Sequence, residues 1–537
     1  MMHDFVRVSR RQSARRTLGV AALALLVPAS LAGVGLVTRM RSKAEVRAVA
    51  ERTRSEAAIL NVNAREKSTR ARDERDKALS LFDEPSRDSK QRAEQVWAGV
   101  LSLERLIDVE LVRAEQLLES ALLTNPDDRS LRGDLSRLLF DRLEFADRVG
   151  EASRVGEIVE RLRVLEPESS RLRARSAPVR IRLSNVPPSS QVRVERYVER
   201  DGLLRPEVFR EGHGTLEFAA EPGSYRALVG LPGSPEFIET FLVRPGEDAE
   251  ISFDSRGRTR PPTGFVLIPE GSFLWGTSDS EVLRAVQGAA PLHPVRLSAF
   301  AIARNEVTFA DWVEFLDGLR PAEREHRRPM IRSSKGGLAL ERIDGRWRLK
   351  MSPTSYEHEA LWGEPFRYPG RSRNEIQDWR RMPVSGIGPV DAVRYTEWLS
   401  STGRVPGARL CSDREWEKAA RGADGRTFTT GSRVTPELAN VDETYGQKAS
   451  TFGPDEAGSH PESDSPYAVH DMQGNALEIV RSFRDSSVFV GKGGSWYYDA
   501  PFSGRLSTAE TIPPETRASY LGVRICADYD HQGGGKR

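Results

Sequence analysis

The sequence predicts a multidomain protein with an N-terminal transmembrane helix, an α-helical region, a small β-sandwich and a separate C-terminal domain. Three observations predict this division. Residues 17–38 carry no charge, and eight of the nine tryptophans follow residue 270. The apolar spacing also changes from helical to alternating at Pro178. A chain of 537 residues exceeds what one hydrophobic core organises, so several folded units are expected.

The charge balance gives no sign of a nucleic-acid partner. Lys and Arg number 80 and Asp and Glu number 78, so the chain has no strongly basic character. The two cysteines, Cys411 and Cys526, are too few for a disulfide framework and say little about the redox compartment.

Residues 1–16 form a basic tail, and residues 17–38 form the predicted transmembrane helix. About 20 apolar residues suffice to cross a bilayer. The alternative is a cleaved signal peptide that ends near the small residues Ser30 and Ala32. The apolar run continues to Val37, which favours an anchor that stays. Arginines flank both ends, so the positive-inside rule does not fix the orientation.

The next two regions are predicted to be helical. Residues 41–95 contain no Gly or Pro before Pro85 and are dense in charge, which predicts a solvated helical stalk or a marginal helix that frays. Residues 96–176 are more amphipathic and are broken near Pro126 and Pro167. They resemble a degenerate tetratricopeptide-like array. A plain helical bundle is the alternative.

Residues 177–256 predict a β-sandwich spacer. Val179, Ile181 and Leu183 alternate with polar residues, and similar short runs recur between turn signals rich in Pro and Gly. This region offers no catalytic constellation. The segment from Arg256 to Pro262 is predicted to be a linker.

The region 262–530 contains six ordered motifs. They are Gly264–Phe273, Glu306–Thr308, Pro383–Leu399, Arg409–Gly422, Gly474–Glu478 and Gly493–Trp496, with Leu521–Arg524 closing the domain. In this order they resemble the formylglycine-generating-enzyme (sulfatase-modifying factor) family, and Arg409–Gly422 is the most specific stretch. The resemblance implies an irregular α+β fold akin to C-type lectins.

Residues 265–320 also resemble a subset of these domains that is linked to bacterial Ser/Thr kinases through a membrane span. That subset lies outside the cell, so the resemblance implies a single-pass protein of the cell membrane with an exported C-terminal domain. The chain itself has no kinase motif.

The resemblance also shows what the active site lacks. Enzymes of this family oxidise a sulfatase cysteine with O2 and a copper(I) ion held by two cysteine thiolates, which suit that soft ion. The corresponding positions here are Tyr498 and Ser503, and Cys411 and Cys526 fall in other motifs. Copper is therefore not expected, and the chain is predicted to be a pseudoenzyme. The alternative is a copper-dependent formylglycine-generating oxidase with unorthodox ligands.

A calcium site is implied by the Gly-Asn loop. By position, its ligands are Asp471, the carbonyl groups of Gly474 and Ala476, and Glu478, all oxygen donors of the kind Ca²⁺ prefers. The alternative is that Glu478 only buttresses the loop. The family's second calcium site matches at Asn440 and Val441, but Ala449 stands where an Asp is expected.

A ligand site is predicted at the position of the lost active site. Its residues are Ser495, Trp496, Tyr497, Tyr498 and Phe502. These aromatic side chains either form a binding platform or fill the vacated cavity. Likewise, His293 either reaches a pocket or makes a structural hydrogen bond. The predicted function is a membrane-anchored, non-catalytic binding or sensory protein whose ligand is a protein, peptide or glycan.

Overall fold

The computed structural model describes residues 43–230, 236–253 and 260–529. These residues divide into two compact units. The first contains residues 43–78 and 94–172, and the second contains residues 79–93 and 173–529.

Helices form the N-terminal part. They are α1 (Lys43–Asp83), α2 (Arg87–Thr124), α3 (Arg129–Val149), α4 (Ala152–Leu165) and α5 (Ser170–Ser176). The start of α3 is fixed by Asp128, whose side chain accepts hydrogen bonds from the amides of Ser130 and Leu131. Its end is fixed by Gly150 in the left-handed conformation, with φ of 79°.

An alanine stripe determines how α1 packs. Ala50, Ala57, Ala64 and Ala71 recur at every seventh position and are all buried. They share one core with apolar side chains of α2, α3 and α4. Thus α1 forms one side of a helical core rather than the solvated stalk that the sequence predicted.

The single core favours a plain bundle over a tetratricopeptide-like array for residues 96–176. The helix α2 runs uninterrupted for 38 residues, which is longer than a helix of such a repeat.

Seven strands follow the helices. They are β1 (Val179–Ser184), β2 (Gln191–Arg200), β3 (Leu203–His213), β4 (Leu216–Ala220), β5 (Gly223–Gly230), β6 (Phe237–Val243) and β7 (Ala249–Ser252). One sheet has the order β4-β1-β7 and the other β3-β2-β5-β6. Inward-facing side chains of both sheets, including Ile181 and Val194, form one core.

The C-terminal region combines short strands with few helices. Its first elements are β8 (Phe265–Ile268), β9 (Gly271–Trp275), α6 (Glu281–Gln287), β10 (His293–Leu297), β11 (Phe300–Ala303), α7 (Phe309–Asp317) and α8 (Pro321–Arg327). Residues 320–380, a long insertion between the second and third motifs, form the inserted segment. It adds β12 (Met330–Ile331), β13 (Gly337–Ile343), β14 (Arg346–Ser352), β15 (His358–Leu361), β16 (Phe366–Arg367) and β17 (Ile376–Gln377).

The remaining elements complete the region. They are α9 (Pro389–Ser401), β18 (Ala408–Leu410), α10 (Asp413–Arg421), β19 (Leu477–Arg481), β20 (Phe489–Lys492), α11 (Ala500–Ser503), β21 (Glu510–Ile512), β22 (Leu521–Val523) and β23 (Ile525–Asp528). The sheets β18-β23-β11-β8 and β21-β20-β19-β22 carry the candidate site. A capping box between Ser412 and Glu415 begins α10.

These observations correct the predicted fold class. The chain has a helical N-terminal region and a β-rich C-terminal region. Over residues 43–230, 236–253 and 260–529, every helix is too short or too polar to cross a membrane. The helix α1 has the length, with 41 residues, but charged side chains recur along it. The transmembrane helix predicted at 17–38 lies outside the described residues, and the structure gives it no support.

Candidate functional site

The Gly-Asn loop precedes β19 and is held by one amide side chain. Asn475, with φ of 58°, accepts hydrogen bonds through Oδ1 from the Asp455 amide (2.9 Å) and Asn440 Nδ2 (3.2 Å). Its Nδ2 donates to Glu306 Oε1 (3.2 Å). A Cβ atom at Gly474 would lie 2.6 Å from the Asn440 carbonyl oxygen, so this close approach requires glycine.

Glu478 is fully buried, and both of its carboxylate oxygens have donors. Arg524 donates through Nε to Oε1 (3.0 Å) and Oε2 (2.9 Å), and through Nη2 to Oε1 (2.5 Å). Trp416 Nε1 donates to Oε2 (2.6 Å). A charge-assisted, bidentate contact of this kind fixes the carboxylate firmly. Glu478 therefore buttresses the loop.

Two further carboxylates lie near this ion pair. Burial, followed by the charge of Asp471, raises the pKa of Glu306 well above its usual range. Glu306 Oε2 has no hydrogen-bond partner and is 3.8 Å from Arg524 Nη2. Burial also raises the pKa of Asp471, although its Oδ2 accepts a hydrogen bond from the Gly458 amide (2.5 Å). Arg524 is thus the nearby cation for three buried acids, Glu306, Asp471 and Glu478.

These residues do not fit the calcium ion expected at Asp471, Gly474, Ala476 and Glu478. Arg524 and Trp416 already satisfy the Glu478 carboxylate, and the Gly458 amide occupies one oxygen of Asp471. Nowhere in the described part of the chain do three or more His, Cys, Asp or Glu side chains form a group that could hold a metal ion. We derive no role for a metal at this position.

The inserted segment supplies a cation to the loop that follows Asn440. Arg371 is fully buried and donates to the carbonyl oxygens of Thr451 (2.7 Å) and Gly453 (2.8 Å) and to Asp455 Oδ1 (2.5 Å). Its guanidinium carbon lies 3.5 Å from the ring centroid of Tyr368 and 3.9 Å from that of Tyr445. Sequence reasoning missed this arrangement, since the insertion has no counterpart in the motifs.

The Gly-Gly-Ser loop places the predicted ligand residues in two environments. Ser495 and Trp496 are buried, and Trp496 packs edge-on against Phe452 with ring centroids 6.3 Å apart. Tyr497 is 50% exposed and stacks on Tyr520 at 5.0 Å. Ser495 and Trp496 therefore fill the interior, whereas Tyr497 reaches the surface.

The two positions that the family resemblance assigns to catalytic cysteines, Tyr498 and Ser503, are joined to the local backbone. Tyr498 packs edge-on against Tyr520 (5.1 Å), and its carbonyl oxygen accepts a hydrogen bond from the Asp442 amide (3.2 Å). Ser503 Oγ donates to the Asp499 carbonyl oxygen (2.5 Å). Phe502 is partly buried in the short helix α11. The side chains of Tyr498 and Ser503 end in hydroxyl groups, so neither can supply the thiolate that copper(I) prefers.

Three carboxylates that the sequence analysis did not single out belong to this neighbourhood. Burial raises the pKa values of Asp442, Asp499 and Glu510, and Asp499 also raises that of Asp442. Glu510 in turn raises the pKa of Tyr498, after the larger effect of burial. Tyr497, Tyr498 and Tyr520 pack against one another, and we name them the tyrosine surface. This surface is bordered by acids.

Cys411 and Cys526 form a disulfide bond, a pairing that the sequence analysis did not predict. Both residues are fully buried, and β18 pairs with β23 so that Arg409 lies opposite Cys526. The separation of 115 residues hid the pair, because a contact between distant strands has no local signature. Neither sulfur is a free thiolate.

Comparisons with known proteins place the C-terminal half in one family. The model for the sulfatase-modifying factor enzyme 1-like domain matches residues 252–529, which confirms the resemblance. The formylglycine-generating enzyme of Bos taurus is 26% identical over 301 residues, covering 51% of this chain and 77% of that protein.

Two other relatives carry different names. The inactive C-alpha-formylglycine-generating enzyme 2 of Bos taurus is 26% identical over 279 residues, covering 49% of this chain and 87% of that protein. The hercynine oxygenase of Mycolicibacterium smegmatis is 28% identical over 294 residues, covering 49% of this chain and 61% of that protein.

Proposed function

Because the chain belongs to the sulfatase-modifying factor enzyme 1-like family, we propose that its C-terminal domain is a non-catalytic binding module. Membership alone leaves activity open, since relatives include proteins named as a formylglycine-generating enzyme, as an inactive one and as a hercynine oxygenase. The observation that carries the proposal is the state of the cysteines. The only two in the sequence are bonded to each other, and Tyr498 and Ser503 occupy the positions that the family resemblance assigns to the thiolates.

The direct test is an activity assay on the whole protein. A sulfatase-type Cys-x-Pro-x-Arg peptide is incubated with the protein, copper(I) and O2, and the product is followed by mass spectrometry. We expect no formylglycine above a metal-free control, since soft copper(I) needs thiolate ligands. Turnover above that control would instead favour the oxidase alternative with unorthodox ligands, which no observed contact supports.

The tyrosine surface is the proposed binding site, with Tyr497 as its exposed member. Aromatic faces give large contact area at low conformational cost, which suits a peptide or glycan. The nearby carboxylates of Asp442, Asp499 and Glu510 favour ligands that carry a cation or many hydroxyl groups. Ser495 and Trp496 support the loop from below, so we assign direct contact to Tyr497, Tyr498 and Phe502.

Arrays of glycans and of short peptides test this assignment. We expect ligands captured by the full chain to be lost with Tyr497→Ala and kept with Tyr356→Ala, a matched control on the inserted segment that is 40% exposed. Equal capture by both variants would remove the tyrosine surface from the proposal.

We further propose that the C-terminal domain works in an oxidising compartment, as an exported domain does. The disulfide supports this, because such bonds persist mainly outside the reducing cytosol. Protease treatment of spheroplasts should digest residues 262–529 from outside. Protection until lysis, together with alkylation of both cysteines in unreduced protein, would place the domain in the cytosol.

A further inference from the structure

The turn between α1 and α2 makes a set of contacts that none of the functions above uses. Residues 79–93 belong to the same compact unit as the C-terminal region. Phe82 is fully buried, and Asp83 is the last residue of α1. We name residues 79–93 the tip segment.

The Asp83 carboxylate accepts hydrogen bonds from two side chains, an arginine and a histidine. Its Oδ1 accepts hydrogen bonds from Arg414 Nη2 (2.5 Å) and His293 Nε2 (3.1 Å). Burial opposes ionisation, but the hydrogen bond and charge from His293 and the charge of Arg414 hold the pKa of Asp83 below its usual range. His293 thus makes a structural contact, the second of its two predicted roles.

Aromatic rings and guanidinium groups surround this carboxylate. The Arg414 guanidinium carbon lies 3.5 Å from the Phe483 ring centroid and 4.2 Å from that of Trp275. His293 packs edge-on against Trp275 at 5.4 Å. Phe82 lies 5.9 Å from the guanidinium carbons of Arg284 and Arg484. We name this set the tip slot; its members are Trp275, Arg284, His293, Arg414, Phe483 and Arg484.

The chemistry of the tip slot defines its ligand. An aromatic ring that inserts between arginines is stabilised by cation–π contacts. A carboxylate beside a buried arginine and a histidine is stabilised by charge-assisted hydrogen bonds. Phe82 and Asp83 meet both demands as neighbours in sequence. Outside the slot, Lys90 Nζ donates to the Gly288 carbonyl oxygen (3.0 Å), and Arg87 pairs with Asp485.

We propose that the tip slot is a binding site for a peptide segment in which an aromatic residue precedes an acidic one, and that Phe82-Asp83 is its built-in ligand. An external segment of this chemistry competes with the tip segment. The external segment can bind only those molecules in which the tip segment has left the slot, so its apparent affinity scales with that fraction. The tip segment therefore acts as an intramolecular competitor in the wild-type chain.

A labelled peptide with the sequence of residues 79–93 tests the proposal on the full chain. The variant Phe82→Ala/Asp83→Asn empties the slot, and we expect it to bind the peptide at least about tenfold more tightly than the wild type does. A peptide carrying the same two changes should not bind. The matched control is Glu84→Gln, because Glu84 pairs with Arg92 inside the tip segment and not with the slot.

Equal binding to wild type and double variant, or binding of the altered peptide, overturns the proposal. Should the double variant fail to fold, amide hydrogen exchange on Asp83→Asn decides. Faster exchange confined to residues 79–86 and to β9 and β10, which carry Trp275 and His293, supports it, and exchange identical to wild type overturns it.

Discussion

Two buried carboxylates of the C-terminal region, Glu478 and Asp455, are each paired with an arginine, and the family resemblance implies a calcium ligand at Glu478. Glu478 is paired with Arg524, which follows β22 in the central part of the domain. Asp455 is paired with Arg371, which the inserted segment supplies. A guanidinium group carries a fixed charge and several donors, so it can organise carboxylate and carbonyl oxygens without a metal.

The two centres differ in the ratio of acids to donors. Around Arg524, three acids share one cation, and the pKa values of Glu306 and Asp471 are raised. Around Asp455 the ratio is reversed, because one carboxylate accepts hydrogen bonds from several donors. These are Arg371, His460, Tyr445 and Gln377. Its pKa is lowered to about 2 despite burial. One centre therefore has an excess of acid and the other an excess of donors.

Removing Arg524 should have the largest effect. Arg524→Met leaves Glu306, Asp471 and Glu478 buried without their cation, and breaking a buried ion pair costs about 3–5 kcal/mol. Urea denaturation measures this loss. The control Arg180→Met removes an exposed arginine paired with exposed Glu217 and should change the free energy of unfolding by less than about 1 kcal/mol. Similar losses in both variants would contradict the assigned role.

Removing Arg371 should cost less, because other side-chain donors, among them His460, Tyr445 and Gln377, remain on Asp455. We expect Arg371→Met to lower the free energy of unfolding by about 2–3 kcal/mol. Amide exchange should rise in residues 440–455, where Arg371 binds the carbonyl oxygens of Thr451 and Gly453. Arg367→Met is the matched control, since Arg367 is exposed on the same segment. Unchanged exchange in the loop would show that the insertion does not organise it.

The pH dependence of stability should have opposite signs at the two centres. The folded-state pKa of Glu306 is raised, so its contribution is favourable below its ordinary pKa and is lost as pH rises. Glu306→Gln should therefore raise the free energy of unfolding at neutral pH, and the gain should shrink on acidification.

Asp455 should behave in the opposite way. Its depressed pKa gives stability that is present above its ordinary pKa and is lost as pH falls towards about 2. Asp455→Asn should lower stability at neutral pH, and this loss should shrink in acid. Denaturation of both variants at several pH values checks the signs, and two effects of the same sign would break the comparison.

The sequence predicted the C-terminal family because its motifs are local and ordered. Glu478 and Arg524 each lie in a quoted motif, but their mutual bond does not follow from either. The disulfide of Cys411 with Cys526 and the contact of Arg371 with Asp455 join distant segments, so no spacing rule reveals them.

The helical region shows a different limit. Val49 and Ile59 are large apolar residues of α1, yet both are exposed. Among its buried positions are Ala50, Ala57, Ala64 and Ala71, whose seven-residue spacing was visible in the sequence. Small residues allow close helix packing, so a stripe of alanines can define a buried face without large side chains.

Calcium should have the smallest effect, and it tests whether arginine has taken the place of the metal. One site at ~100-fold excess over Kd would add about 2.7 kcal/mol of stability. We expect the full chain to melt at the same temperature in Ca²⁺ and in a chelator, because Arg524 and Trp416 occupy the oxygens of Glu478. Glu478→Gln should lower the melting temperature equally in both conditions. A calcium-dependent shift that Glu478→Gln abolishes would mean that Glu478 leaves Arg524 for the ion, and the calcium site expected from the sequence would then stand.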